Sequence, residues 1–203
     1  MTSGNNGIRL AALPACVAML AFTLTAHGAE RGAEALEQLM RDMAKTRTAS
    51  AKFAERRELR MLEKPLELSG TLRYTAPDRL ERHTLKPSPE SMLLTKDTLT
   101  LEDKARGRTR TVPLQQYPLI WAFAESIRSV LAGDLATLRR FYTVDFDGNA
   151  ARWQLMLHPR EPGMRSHIND IRISGAAQMI RTIEVNEAGG DRSVMTISDS
   201  VRE

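Results

Sequence analysis

The side chains that could do chemistry are sparse and scattered. Four histidines stand at His27, His83, His158 and His167, and none forms a His-x-x-x-His or His-Glu-x-x-His pair. Zinc ligation by two imidazoles on one helix face is therefore not encoded, and no metal site is expected. His158 precedes Pro159 and reads as a strand end rather than a general base. Glu102 and Asp103 are adjacent carboxylates, but neighbours on a strand point to opposite faces, so they read as a solvated strand end and not as an acid–base pair. The sequence has no Gly-x-Ser-x-Gly elbow and no glycine-rich phosphate loop. No nucleophile is spaced with a base and an orienting third group. The chain does not read as an enzyme, and it calls for no cofactor.

The single cysteine, Cys16, lies in the apolar run Leu10 to Leu24. That run follows Arg9, the one charge in residues 1–29, and is followed by the small residues Thr25-Ala26-His27-Gly28-Ala29 before charge begins at Glu30. This is the three-part layout of a secretory signal, cleaved after Gly28 or Ala29, and it implies export out of the cytoplasm. A membrane anchor is the alternative reading, disfavoured because the run is short for a span. Leu13-Pro14-Ala15-Cys16 is similar to a lipoprotein box, but Pro14 fits poorly and most of the apolar run would lie beyond the cut. Cys16 is thus an apolar residue of the signal, and residues 30–203 form one cysteine-free domain without thiol or disulfide chemistry.

The formal net charge of +4 over 203 residues is modest. Basic pairs such as Arg56-Arg57 and Arg139-Arg140 are interrupted by acids and apolar residues, so no continuous phosphate-binding surface is expected and nucleic acid is not a partner.

What remains are the elements. Leu36, Leu39, Met40 and Met43 recur at helical steps within Glu34 to Thr46, which predicts an amphipathic helix. From Ala49 the period changes to two. Ala51, Phe53, Leu59 and Met61 alternate with charges, and Lys64-Pro65 marks a turn. Leu66, Leu68, Gly70, Leu72 and Tyr74 then share one face. Further strands are read over 79–85, 91–95, 98–102 and 108–114, with Lys96-Asp97 as a hairpin connection and Lys86 to Glu90 as a loop. Tyr117-Pro118 opens a helix over 119–131 carrying Trp121, Phe123 and Ile127, ended by Gly133, and Asp134 caps a second helix over 135–140. Strands resume over 143–146, a turn at Asp147-Gly148-Asn149, then 151–157, 168–174, 179–185 and 193–198. Short connections make neighbours antiparallel. Roughly ten strands in one domain must curl or close. The expected fold is therefore mainly β with helices: an unclosed antiparallel β-barrel, or half-barrel, with an N-terminal helix and a mid-chain helical lid. Such a shape encloses an apolar cavity.

The segment Gly70-Thr-Leu72-Arg-Tyr74-Thr-Ala-Pro77-Asp78-Arg-Leu80 resembles the periplasmic LolA-type lipoprotein carrier family. Ala51-Lys-Phe53 before it and the paired strands Ser91 to Asp97 and Thr98 to Leu101 after it fit the same pattern. The resemblance, to a divergent member, covers most of the chain beyond the signal. It implies the LolA/LolB-like half-barrel and carriage of acyl chains through the periplasm without catalysis. It also implies an acylated lipoprotein or other lipid as cargo, an inner-membrane transporter as donor, an outer-membrane acceptor, and a monomer. The family commonly has Arg before the Pro of this motif, where it helps hold the lid; here Ala76 stands there. With aromatic residues at only 5% and ten methionines, this departure suggests a relative handling another acylated or polyene lipid. Two other readings stay open: an adaptor docking on an inner-membrane exporter without carrying cargo, and a hydrolase of envelope lipids. A filled interior would favour the adaptor. The residues expected to form cavity or lid are Leu36, Leu39, Met40, Met43, Leu72, Tyr74, Leu80, Leu94, Leu101, Trp121, Phe123 and Ile127. Each could equally be plain core.

Overall fold

The computed structural model describes residues 24–202. The apolar run read as a signal, up to Thr23 and with Cys16, lies outside the described residues. Helix α1 spans Leu24–Met43, ten residues ahead of the expected start. Its apolar stripe begins only at Leu36, and Gly28 and Gly32 lower the helix propensity upstream, so periodicity located the packed part and missed the rest.

Eleven strands follow in one antiparallel sheet. Strands β1 (Thr48–Glu58), β2 (Leu66–Thr75), β3 (Arg79–Lys86), β4 (Glu90–Thr95), β5 (Thr98–Asp103) and β6 (Arg108–Pro113) form a first meander. A 3-10 turn at Leu114–Gln116 leads into α2 (Pro118–Ala132) and α3 (Leu135–Phe141). The second meander is β7 (Tyr142–Asn149), β8 (Arg152–Pro159), the short helix α4 (Pro162–Arg165), β9 (Ile168–Ala176), β10 (Met179–Glu187) and β11 (Arg192–Arg202). The order is β6-β5-β4-β3-β2-β1-β11-β10-β9-β8-β7, so pairing of β1 with β11 welds the meanders while β6 and β7 remain edges. The sheet is unclosed, as expected.

Two local expectations need correction. Strand β1 ends at Glu58, and Met61 sits in the following loop with 86% of its surface exposed, so it is not part of the alternating face. Strand β7 runs through Asp147-Gly148-Asn149, with Gly148 opposite Trp153, and the turn falls at Ala150-Ala151. The left-handed φ of Gly148 (107°) is taken up inside the strand rather than at the hairpin tip.

Two apolar clusters hold the helices. In the larger, α1 and α3 cover β7–β9: Leu36, Leu39, Met40 and Met43 pack with Tyr142, Trp153, Leu155, Leu157, Ile171 and Ile173. In the smaller, Ala124 of α2 meets Leu94, Leu99, Val112 and Leu114. Helix α2 therefore bridges the two, since its Val130 belongs to the larger cluster. Gly133 ends it in the left-handed conformation (φ 69°) and lies against the backbone of Met40 and Ala44, where a Cβ would collide.

Candidate functional site

Between the two clusters α2 does not reach the sheet, and a cavity of about 680 Å³ is left beneath it. Its roof is the stripe Ile120, Phe123, Ala124, Ile127 and Leu131, spaced by three and four as one helix face requires. The floor comes from strand registers, because directly opposed residues share a face. One row runs Leu99–Leu94–Leu80–Tyr74–Ala49–Arg202 across β5, β4, β3, β2, β1 and β11. A second runs Leu101–Met92–Arg82–Leu72–Ala51. Met195, Ile183, Ile180 and Val185 close the far side. Residues of β4 and β5 and residues of β10 thus line one space, so the sheet curls around it.

Gly70 is needed here for close approach. It sits opposite Phe53, and a Cβ would collide with the His83 carbonyl and approach the Phe53 ring to 2.9 Å. The ring in turn carries the Arg82 guanidinium 4.4 Å above its centre.

Several polar side chains interrupt this apolar surface, and two of them are central to its electrostatics. Glu55, 3% exposed, accepts from Arg57 Nε, Arg82 Nη2 and Ser193 Oγ, each at 2.6 Å. Burial pushes its carboxyl up, but these donors more than offset that and hold it below its ordinary 4.5. The second is Arg202. Among the described residues its Nη1 reaches the thioether of Met43, at 3.2 Å, and its Nη2 is buried without a partner. Burial lowers its pKa, with only the Tyr74 hydroxyl opposing.

Polar contacts tie α2 down: Ser126 hydrogen-bonds the Tyr142 side chain of β7. Arg128 pairs with Glu125 on its own helix and donates from Nη1 to the Lys96 carbonyl in the β4–β5 turn, at 2.8 Å. Burial lowers the Arg128 pKa against the pull of Asp78 and Asp97, so both acids stand near it. Ala76 lies in the turn after β2, and the arginine that ties helix to sheet is Arg128 of α2.

Of the expected residues, Leu72, Tyr74, Leu80, Leu94, Leu101, Phe123 and Ile127 line the cavity, Leu101 at a rim with 42% exposure. Leu36, Leu39, Met40 and Met43 do not. They are core beneath α1, because that helix lies on β7 rather than over the gap. Trp121 turns from the cavity to meet the Phe141 ring edge-on at 5.1 Å and packs on the smaller cluster. Sequence reasoning missed Glu55, Arg57, Arg82, Ser193, Arg128 and Arg202. The available signal was parity, since 53, 55 and 57 must share a face on one strand.

Among the described residues no group of three His, Cys, Asp or Glu could hold a metal ion, and no helix is long and apolar enough to cross a membrane. His83 bonds Ser91, and His158 stands 3.7 Å from Asp145.

A family model described as outer membrane lipoprotein carrier protein, LolA-like, matches residues 28–202. Among solved structures, a LolA superfamily protein from Nitrosomonas europaea is 10% identical, with 83% of this chain and 92% of that one covered and a TM-score of 0.47. MucB is 11% identical over 86% of this chain and 59% of its own, with a TM-score of 0.49. A DUF1329 family protein from Desulfovibrio piger is 10% identical over 86% and 92%, with a TM-score of 0.41. No curated protein matches the chain by sequence.

Proposed function

The chain belongs to the LolA-like outer membrane lipoprotein carrier family, and on that premise we propose that it is a periplasmic carrier that shelters acyl chains between the inner and outer membranes. The observation that carries the reading is the cavity of about 680 Å³ between α2 and the sheet, a volume in the range of pockets that enclose small ligands. Each methylene taken out of water contributes about 0.8 kcal/mol, so a dozen sheltered methylenes supply on the order of 10 kcal/mol. An apolar trough is sufficient for that; no catalytic group is required. The cargo is an acylated lipoprotein or another lipid, received from an inner-membrane transporter and passed to an outer-membrane acceptor. Residues 1–29 act as the cleaved export signal. An adaptor that merely docks would have no use for the open interior, and the trough favours carriage.

Release needs a roof that can lift. The Arg128–Lys96 bond and the small cluster under Ala124 are the attachments α2 would exchange for contact with cargo over β4 and β5, while Val130 keeps the helix anchored in the larger cluster. Extraction of the protein purified from its native envelope, followed by lipid mass spectrometry, is expected to recover a stoichiometric acyl lipid. A pyrene-labelled fatty acid methyl ester is expected to bind the emptied protein and to be lost in Phe123→Asp. A protein that carries no lipid and leaves the probe free in solution is not a carrier.

A further inference from the structure

The last strand contains an irregularity that determines what faces the trough. Ile197 points inward opposite Phe53, and Lys52 pairs with Ser198. With unbroken alternation Val201 would point inward and Arg202 outward. Instead the register shifts between Ser50 and Lys52, so that Ala49 meets Arg202. Asp199 takes the left-handed conformation (φ 50°), and its carboxylate bonds Lys52 Nζ at 3.0 Å. A one-residue bulge reverses every side chain beyond it. The outcome runs against hydrophobicity: Val201 is 58% exposed, while the Arg202 guanidinium is turned inward.

Among the described residues no carboxylate pairs with it there, and its neighbours by hydrogen bond or charge are the Met43 thioether and the Tyr74 phenol. An unpaired buried donor on a cation is expensive, and such groups in native proteins are rare. Across the sheet Tyr74 and Arg202 flank Ala49 and all three line the cavity, the Tyr74 hydroxyl donating to the Pro77 carbonyl at 3.3 Å.

The geometry points to a headgroup site: Arg202, with Tyr74 beside it, binds an anionic oxygen, carboxylate or phosphate, at the end of an acyl chain lying in the trough. This rests on the carrier reading and narrows it to acyl lipids with an acidic terminus. A chain esterified to a neutral head would leave the guanidinium unpaired.

The test is displacement of a pyrene-labelled fatty acid methyl ester by two matched pairs: palmitate against methyl palmitate, and dipalmitoyl phosphatidate against dipalmitoylglycerol. In the wild-type protein one acidic member is expected to bind roughly ten- to a hundred-fold more tightly than its neutral partner, as a charge-assisted hydrogen bond provides. The pair that shows the preference identifies carboxylate or phosphate. In Arg202→Met the preference disappears while affinity for the neutral partner is kept, and in Arg202→Lys it is largely retained. Arg202→Gln serves as the uncharged variant if Arg202→Met does not fold. Equal affinities within both pairs in the wild type, or a preference that survives loss of the cation, overturns the headgroup site and leaves the carrier reading intact. Failure of the methyl ester itself to bind overturns the carrier reading.

Discussion

Leu155 and Leu157 of β8 and Ile171 and Ile173 of β9 are wholly buried, whereas Leu72, Leu80 and Met92 of β2, β3 and β4 keep part of their surface open to the trough. Both sets alternate with polar residues in the same way and face the same side of one sheet. The difference lies in the cover. Over β7–β9, α1 and α3 lie directly on the strands and fill the space with Leu36, Leu39, Met43 and Leu138. Over β2–β5, α2 rests on one cluster through Ala124 and on the other through Val130, while Ile120, Phe123 and Ile127 face the trough. A carrier of apolar cargo needs both conditions in one molecule. The filled half supplies stability, and the bridged half supplies vacancy.

The comparison breaks most readily under paired truncation. Leu155→Ala is expected to lose about 2–5 kcal/mol, the usual result of opening a void among residues that cannot collapse into it. Leu80→Ala, on a wall that already faces empty space, is expected to lose about 1 kcal/mol or less, because no new void is enclosed. Chemical denaturation of both variants measures this directly. Losses of equal size would mean that the trough is packed in solution like the core.

Between the two halves lies the Glu55 cluster. Glu55→Gln keeps shape and removes charge, leaving Arg82 bonded to a neutral amide and Arg57 freer to turn to water. A loss of about 2 kcal/mol is expected, below the full penalty of a broken buried pair because Arg57 is more than a third exposed. A stability within experimental error of wild type would mean that the cluster is hydrated and that the trough extends through it.

Much of this architecture was legible in the residues. The clean alternation from Leu66 to Tyr74 gave both the strand and its inward face, and Gly133 and Asp134 marked the break between the mid-chain helices with their capping chemistry. The cavity wall was legible only in part, because a period of two identifies the inward face without saying what covers it. Leu36 and Leu72 look equally apolar in sequence; one is core and the other wall, and the distinction rests on where α1 and α2 come down. The polar groups were harder still. Glu55 finds its donors on β3 and β11, far away in the chain, and reads locally as one more charge on a solvated strand. Arg202 was hidden by the bulge at Asp199, which reverses the face that alternation from Ile197 predicts.

The smallest effect concerns acid, and it isolates the mid-trough cluster from the other carboxylates. Glu55 is held below its ordinary 4.5 in the folded protein, so it binds fewer protons folded than unfolded. Its contribution to stability is therefore complete above about pH 4.5 and disappears as pH falls through the lower folded value. Glu81 and Glu184 are depressed by Arg79 and Arg192 in the same direction, so wild type and every variant lose stability in acid. Those losses are common to Glu55→Gln and cancel in the difference. A protonated Glu55 and a glutamine have the same shape and the same charge, so the two stability curves should lie apart at neutral pH and converge as pH falls from 4.5 through the lower folded value. A gap that stays constant across that range would mean that the carboxylate charge contributes nothing at this position, and that Arg57, Arg82 and Ser193 are held in place by packing against Phe53 and the strand register alone.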